Sequence, residues 1–227
     1  MKEKLAKLKF TESKKLIGYV ISSFIIILLL DVIMYFVVLN QIPNFISKYV
    51  WWILYLDISV VTLAGALWYY ASYKGFVSCM ASMMIGMTLG MQTGMMLGAV
   101  FGAVNGYFIG GMIGMLLGTI IGLITGRASI MGAVQGMMSG LMGGTMGAMI
   151  TVMMFTDHVL LFMPFYTLIN VVILIGFVYM YHDEVIKDNK EVEKKNISFA
   201  AFVSLCIIAT VILSAILIYA PKSIWFG

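Results

Sequence analysis

Charge is scarce in this chain. Only 11% of its 227 residues are charged, whereas 62% are hydrophobic. That balance excludes an ordinary soluble domain and fits a chain with several membrane spans. The net charge is only +4, and the lysines cluster beside apolar runs, so no nucleic-acid partner is expected. Cysteine is also rare: Cys79 and Cys206 both fall in apolar segments and do not make a disulfide framework. The two histidines, His158 and His182, are not paired for haem. A phosphate loop, a nucleophile–base constellation and a dinucleotide fingerprint are all missing. An enzyme is therefore not expected, and any transport has to draw on a gradient or a partner.

Two residue types are abundant instead, with 23 glycines and 21 methionines. From Gly86 to Gly126 a glycine stands at every fourth position, and Ser78 and Ser82 extend the series backward. After Arg127 the period restarts as Gly132, Gly136, Gly140 and Gly144, closed by Ala148. In water each glycine costs a helix about 1 kcal/mol relative to alanine. In lipid, helix is the only open-chain way to satisfy backbone polar groups. A stripe without side chains then lets two helix backbones touch, the small-xxx-small device of membrane helices. A four-residue period exceeds 3.6, which favours right-handed coiling. The expectation is a glycine zipper joining spans 3–5.

The apolar runs place seven spans in one transmembrane domain, residues 16–227, behind a basic head at 1–15. The expected spans are about 16–39, 49–72, 77–102, 107–126, 130–154, 163–181 and 198–220. The first run is too long for a signal peptide and lacks a small-residue cleavage site, so it is read as a retained span. The stretch between Lys74 and Arg127 is too long for one crossing, and Asn105-Gly106 is the turn that breaks it. Trp51, Trp52, Trp68, Tyr69 and Tyr70 near the ends of span 2 suit the membrane–water interfaces. Lys48 and Lys222 fall on one side; the other twelve of the 14 basic residues fall opposite. The rule that positive charge stays inside then gives a cytoplasmic N-terminus and an external C-terminus. The fold class is all-α, integral and multi-pass, in the cell membrane.

On a helical wheel of span 5, Met131, Gln135, Met138, Met142, Met146, Met149 and Met153 lie within an arc of about 80°. The glycines lie opposite. Span 3 carries Met80, Met83, Met84, Met87, Met91 and Met95 within about 120°. Thioethers and thiolates select Cu(I), so these faces are candidate paths for a soft ion; the plain alternative is flexible apolar filling. Cys79 stands one turn before Met83, and such a pair is a candidate soft-metal ligand or merely a small buried thiol. Beyond span 5, Met153, Met154, Asp157 and His158, with Met163 further on, could capture a metal at an external mouth; one histidine without zinc spacing equally fits an ordinary loop.

Asp31 falls mid-way in span 1, and Asp57 falls in the outer part of span 2. A carboxylate in a span is expensive and by default a functional candidate, here for proton or ion coupling. The alternative is a hydrogen bond to a neighbouring span, with Tyr35, Tyr55, Gln92 or Asn170 as expected partners.

The run Met-Gly-Ala-Val-Gln-Gly-Met-Met-Ser-Gly-Leu-Met-Gly-Gly-Thr-Met-Gly-Ala-Met from Met131, followed by Asp-His-Val-Leu-Leu-Phe-Met up to Met163, resembles a family of uncharacterised bacterial multi-span membrane proteins. The resemblance spans about residues 75–165. Some members are linked to cupredoxin-like copper-handling proteins, which implies Cu(I) as cargo and a cupredoxin-like protein as partner.

Three functions remain open. One is handling of a soft metal ion, Cu(I) or Ag(I), along the Met faces. The second is a non-catalytic scaffold or assembly subunit held by glycine packing, as a homo-oligomer or with other chains in the bilayer. The third is a proton-coupled small-solute transporter using Asp31 and Asp57.

Overall fold

The computed structural model describes residues 18–32, 45–74, 77–154, 158–186, 193–194 and 199–222. The basic head lies outside the described residues, as do Tyr35, Pro43 and Asp157. Seven α-helices are described: α1 Gly18–Val32, α2 Phe45–Ser72, α3 Cys79–Asn105, α4 Tyr107–Gly126, α5 Ile130–Met153, α6 Val159–Tyr181 and α7 Phe199–Tyr219. A π-helical turn, His182–Ile186, continues α6. A two-residue antiparallel ladder pairs Tyr73 with Lys194 and Lys74 with Glu193. Five of the helices, α2, α3, α4, α6 and α7, are long and apolar enough to cross a membrane.

Three helices extend beyond their apolar runs, α2 and α6 at the start and α3 at the end. α2 begins at Phe45 rather than at 49, and α6 at Val159 rather than at 163, with Pro164 inside the helix. α3 continues to Asn105, so a single residue, Gly106, separates it from α4. Gly106 sits at φ 89°, in a region a side chain rarely enters, so glycine suits this turn. α5 has 24 residues but is not among the five, because Gly, Ser, Thr and Gln dilute its hydropathy. Serines open two of the three glycine-rich helices, α3 and α5. The Ser78 hydroxyl accepts from Ala81 N–H at 3.2 Å and the Ser129 hydroxyl from Gly132 N–H at 2.9 Å, satisfying donors that would otherwise be orphaned at a helix start.

The glycines of α3, α4 and α5 face one another in layers. Gly86, Gly126 and Gly132 meet in one layer, and Gly90, Gly122 and Gly136 in the next. Further along, Gly98, Gly114 and Gly144 meet, and Gly102 lies between Gly110 and Ala148, meeting both. Numbers rise together on α3 and α5 and fall on α4, so α3 and α5 run parallel and α4 runs against both. Space for a methyl group is lacking: a Cβ built on Gly90 would lie 2.7 Å from the Gly136 carbonyl oxygen. The space between the three helices is thus filled by backbone. Ser82 adds a side-chain tie, donating to the Gly126 carbonyl at 2.9 Å.

α3 is central. Its other side carries Ile85, Leu89, Val100, Phe101 and Val104 into a core shared with Trp52, Leu56 and Leu63 of α2 and with Met163, Leu174 and Phe177 of α6. Two of the aromatics near the ends of span 2 also belong to this core: Trp52 and Tyr69 are buried. Each lies on the α2 face that meets the core shared with α3 and α6, where it buries a large apolar surface. Trp51, one position round the helix, is exposed. A second, smaller cluster joins Ile27 of α1, Val61 and Ala64 of α2, and Phe202 and Cys206 of α7.

Candidate functional site

The methionine face of α5 follows directly from its glycine face. Gly132, Gly136, Gly140 and Gly144 are buried against α3 and α4, so the residues opposite point away from the bundle. Met138 is 58% exposed and Met142 51%, and Met131, Met146, Met149 and Met153 are exposed with them. On α3, Met80, Met84 and Met87 are exposed, Met83, Met91 and Met95 are half-buried, and Met96 is buried. The two ladders adjoin. The Gln135 amide of α5 lies 3.8 Å from the Met87 sulfur of α3. Added Cβ atoms on Gly143 and Gly147 would run into the backbones of Met91 and Met95. The thioethers of spans 3 and 5 therefore share one outward surface rather than a common interior.

Cys79 is exposed at the first residue of α3, one turn before the half-buried Met83. Beyond α5, Met153 and Met154 are exposed, and so is His158, which precedes α6. Met163 is 1% exposed and packs in the main core, so it cannot join them at a mouth; it lies a helical turn inside α6, facing α3. Asp157 lies outside the described residues. Among the described residues, no three His, Cys, Asp or Glu side chains come together as a metal cluster.

The two aspartates are brought together. Ile27 packs with Val61, and Val20 meets Gly65, so α1 and α2 are antiparallel and Asp31 faces Asp57. Their carboxyl groups are within hydrogen-bonding reach of each other. Asp57 is 1% exposed. The Oδ2 atom of each carboxyl is buried with no donor beside it. The Asn170 amide donates to the Tyr166 carbonyl at 2.8 Å, Gln92 is buried in α3 with its Oε1 unpartnered, and Tyr35 is outside the described residues.

One polar side chain that reads as a turn residue has a larger task. Asn105 Nδ2 lies 3.3 Å from the Leu217 carbonyl, 3.1 Å from that of Ala220 and 3.2 Å from that of Pro221. It fastens the end of α3 to the carbonyls at the end of α7, which have no partner inside their own helix. Beside it, Lys222 lies over the Tyr49 ring, 5.0 Å from its centroid, and donates to the Leu217 carbonyl. Burial pushes the Lys222 ammonium down to about 8. At the opposite end, the Tyr181 hydroxyl donates to the Tyr73 carbonyl at 2.7 Å, the Tyr70 hydroxyl to the Thr125 carbonyl at 3.0 Å, and Tyr69 meets His182 Nδ1 at 3.3 Å.

No family model, curated protein or solved structure matches the chain.

Proposed function

We propose that the protein is a non-catalytic scaffold or assembly subunit of the cell membrane, a glycine-zipper unit that presents a methionine surface to a neighbouring membrane component. The observation that carries this reading is the direction of the α5 methionines. They point away from the bundle, while the space between α3, α4 and α5 is occupied by glycine backbone. A conduit needs ligands around a passage; here the ligand-bearing side chains surround nothing within one chain. Methionine suits a contact surface because its unbranched, polarizable side chain adapts to irregular neighbours. All seven helices belong to the bilayer in this reading, with the N-terminus cytoplasmic and the C-terminus external, as the basic residues require.

A photo-crosslinking residue at position 142, compared in native membranes with one at the lipid-facing position 212, tests the proposal. A scaffold face yields a discrete adduct with a protein chain from position 142 and none from 212. Adducts with lipid alone from both positions contradict it.

A second reading is favoured by one observation, the contact of the Gln135 amide, which lies within the α5 methionine arc, with the Met87 sulfur of α3. Here the surface handles Cu(I) or Ag(I), with a partner such as a cupredoxin-like protein, or a second copy, supplying the remaining ligands. Met83, Met87, Met91, Met95, Met138, Met142, Met146 and Met149 are then the ligands of choice, with Cys79 and His158 at the two ends. Equilibrium dialysis with Ag(I) separates this from the first reading, because leucine at positions 138, 142, 146 and 149 removes binding only if the sulfurs are ligands.

A further inference from the structure

Asp31 of α1 and Asp57 of α2 face each other across an apolar helix seam, with no basic residue among the described ones to answer them. One turn below the pair, Ile27, Val61 and Cys206 close an apolar floor. Independently of the pairing, each carboxyl keeps a buried oxygen without a donor, and Asp57 is 1% exposed. Two bare carboxylates in such a place repel each other and forfeit their hydration.

Three arrangements relieve this. A lysine or arginine would do so, but the described residues supply none: the only charged group acting on either carboxyl is the other one. The other titratable side chains described on α1, α2 and α7 are Tyr19, Tyr49, Tyr55, Tyr69, Tyr70, Cys206 and Tyr219, and none of them is among the groups acting on the pair. A hard cation such as Ca²⁺ or Mg²⁺ takes six or more oxygen ligands; two carboxyl groups supply at most four, so water or backbone carbonyls would have to complete its shell in this apolar seam. A proton needs only the two oxygens that face each other. Bound to one carboxyl, it makes that group a donor to the other and removes one charge. This is how paired carboxyl groups at close range behave.

We infer that the Asp31–Asp57 pair is a proton-binding site, in which the facing carboxyl groups hold at least one exchangeable proton at neutral pH and that proton ties α1 to α2. The proton comes from water and returns to it; no bond other than O–H forms or breaks. The inference goes beyond the scaffold reading and is independent of it, because its test does not involve the methionine surface.

Infrared spectroscopy of the full chain in lipid nanodiscs tests it. A protonated carboxyl group has a C=O stretching band well separated from that of carboxylate. The parent protein, labelled with ¹³C-aspartate, should show this band at pH 7, moved by the label and shifted again in D₂O. Asp57→Asn and Asp31→Asn should each abolish it. The parent spectrum decides the matter even if both variants fail to fold: absence of a protonated aspartate band at pH 7 overturns the inference. A band that survives both substitutions overturns it too, and so does a parent band that sodium or potassium removes at constant pH, since the site is then a cation site.

Discussion

Gly98 of α3 and Gly144 of α5 meet backbone to backbone: a Cβ on Gly98 would lie 2.7 Å from the Gly144 carbonyl oxygen. Gly114 of α4 closes the same layer, where an added Cβ would lie 2.9 Å from the Gly144 Cα. Three helices so close leave no room for a single methyl group, and the neighbours are backbone, which cannot swing aside.

Gly98→Ala should therefore destabilise the protein although alanine is the better helix former. Overpacking typically costs about 1–3 kcal/mol, and backbone neighbours put this site at the upper end. Gly111→Ala is the matched control, because a Cβ there meets nothing within 4 Å and the helix gains about 1 kcal/mol. Thermal unfolding in detergent should show Gly98→Ala below the parent and Gly111→Ala at or above it. Equal melting temperatures for both would contradict the layer account.

Asn105→Ala should loosen the end of α7. It removes the donor that three carbonyls share, and leaving buried polar groups unmet costs about 1–3 kcal/mol. Hydrogen exchange should accelerate over the last turn of α7 while the α3–α5 layers stay protected. Unchanged exchange there would mean that the carbonyls find water instead.

Lys222 should react as an unusually weak base. Burial holds its ammonium down to about 8 instead of the ordinary 10.5. Because only the neutral amine is acylated, its labelling rate should level off above about pH 9, where an unperturbed lysine near 10.4 is still rising. The linkage runs the same way. Between about 8 and 10.5 the folded state binds fewer protons than the unfolded one, so this residue adds stability as pH rises through that window. Lys222 is partly exposed, which keeps the effect small. A labelling profile identical to that of an ordinary lysine would contradict its burial.

Much of this arrangement is legible in the sequence, and the limits are physical. Apolar runs and a four-residue glycine period mark the helices to within a few residues, because both act along one chain. The opposition of methionine and glycine on α5 is also visible on a wheel. What the wheel leaves open is which face meets other helices; once Gly132–Gly144 pack inward, the methionines have nowhere to go but out. Asp31 and Asp57 each stand out as costly. Their pairing depends on the register between α1 and α2, set by contacts such as Ile27 with Val61, and no local pattern encodes it. Asn105 hides for a related reason. Beside Gly106 it has the signature of a turn, and its carbonyl partners lie 112 to 116 residues away.

The outward methionine surface can be altered with little effect on folding. Leucine nearly matches methionine in volume, and such swaps cost under about 1.5 kcal/mol. The variant with leucine at 138, 142, 146 and 149 should therefore express, insert and melt like the parent. A large loss of stability would show that these side chains are packed in a core rather than exposed.

The most direct test of the scaffold account is Ag(I) uptake into proteoliposomes, measured for the parent and for that quadruple leucine variant beside protein-free vesicles. The account predicts that all three take up Ag(I) at the same unsaturable rate, because no methionine-lined passage runs through the chain. Saturable uptake by the parent that is lost in the leucine variant, at equal protein content, would contradict it.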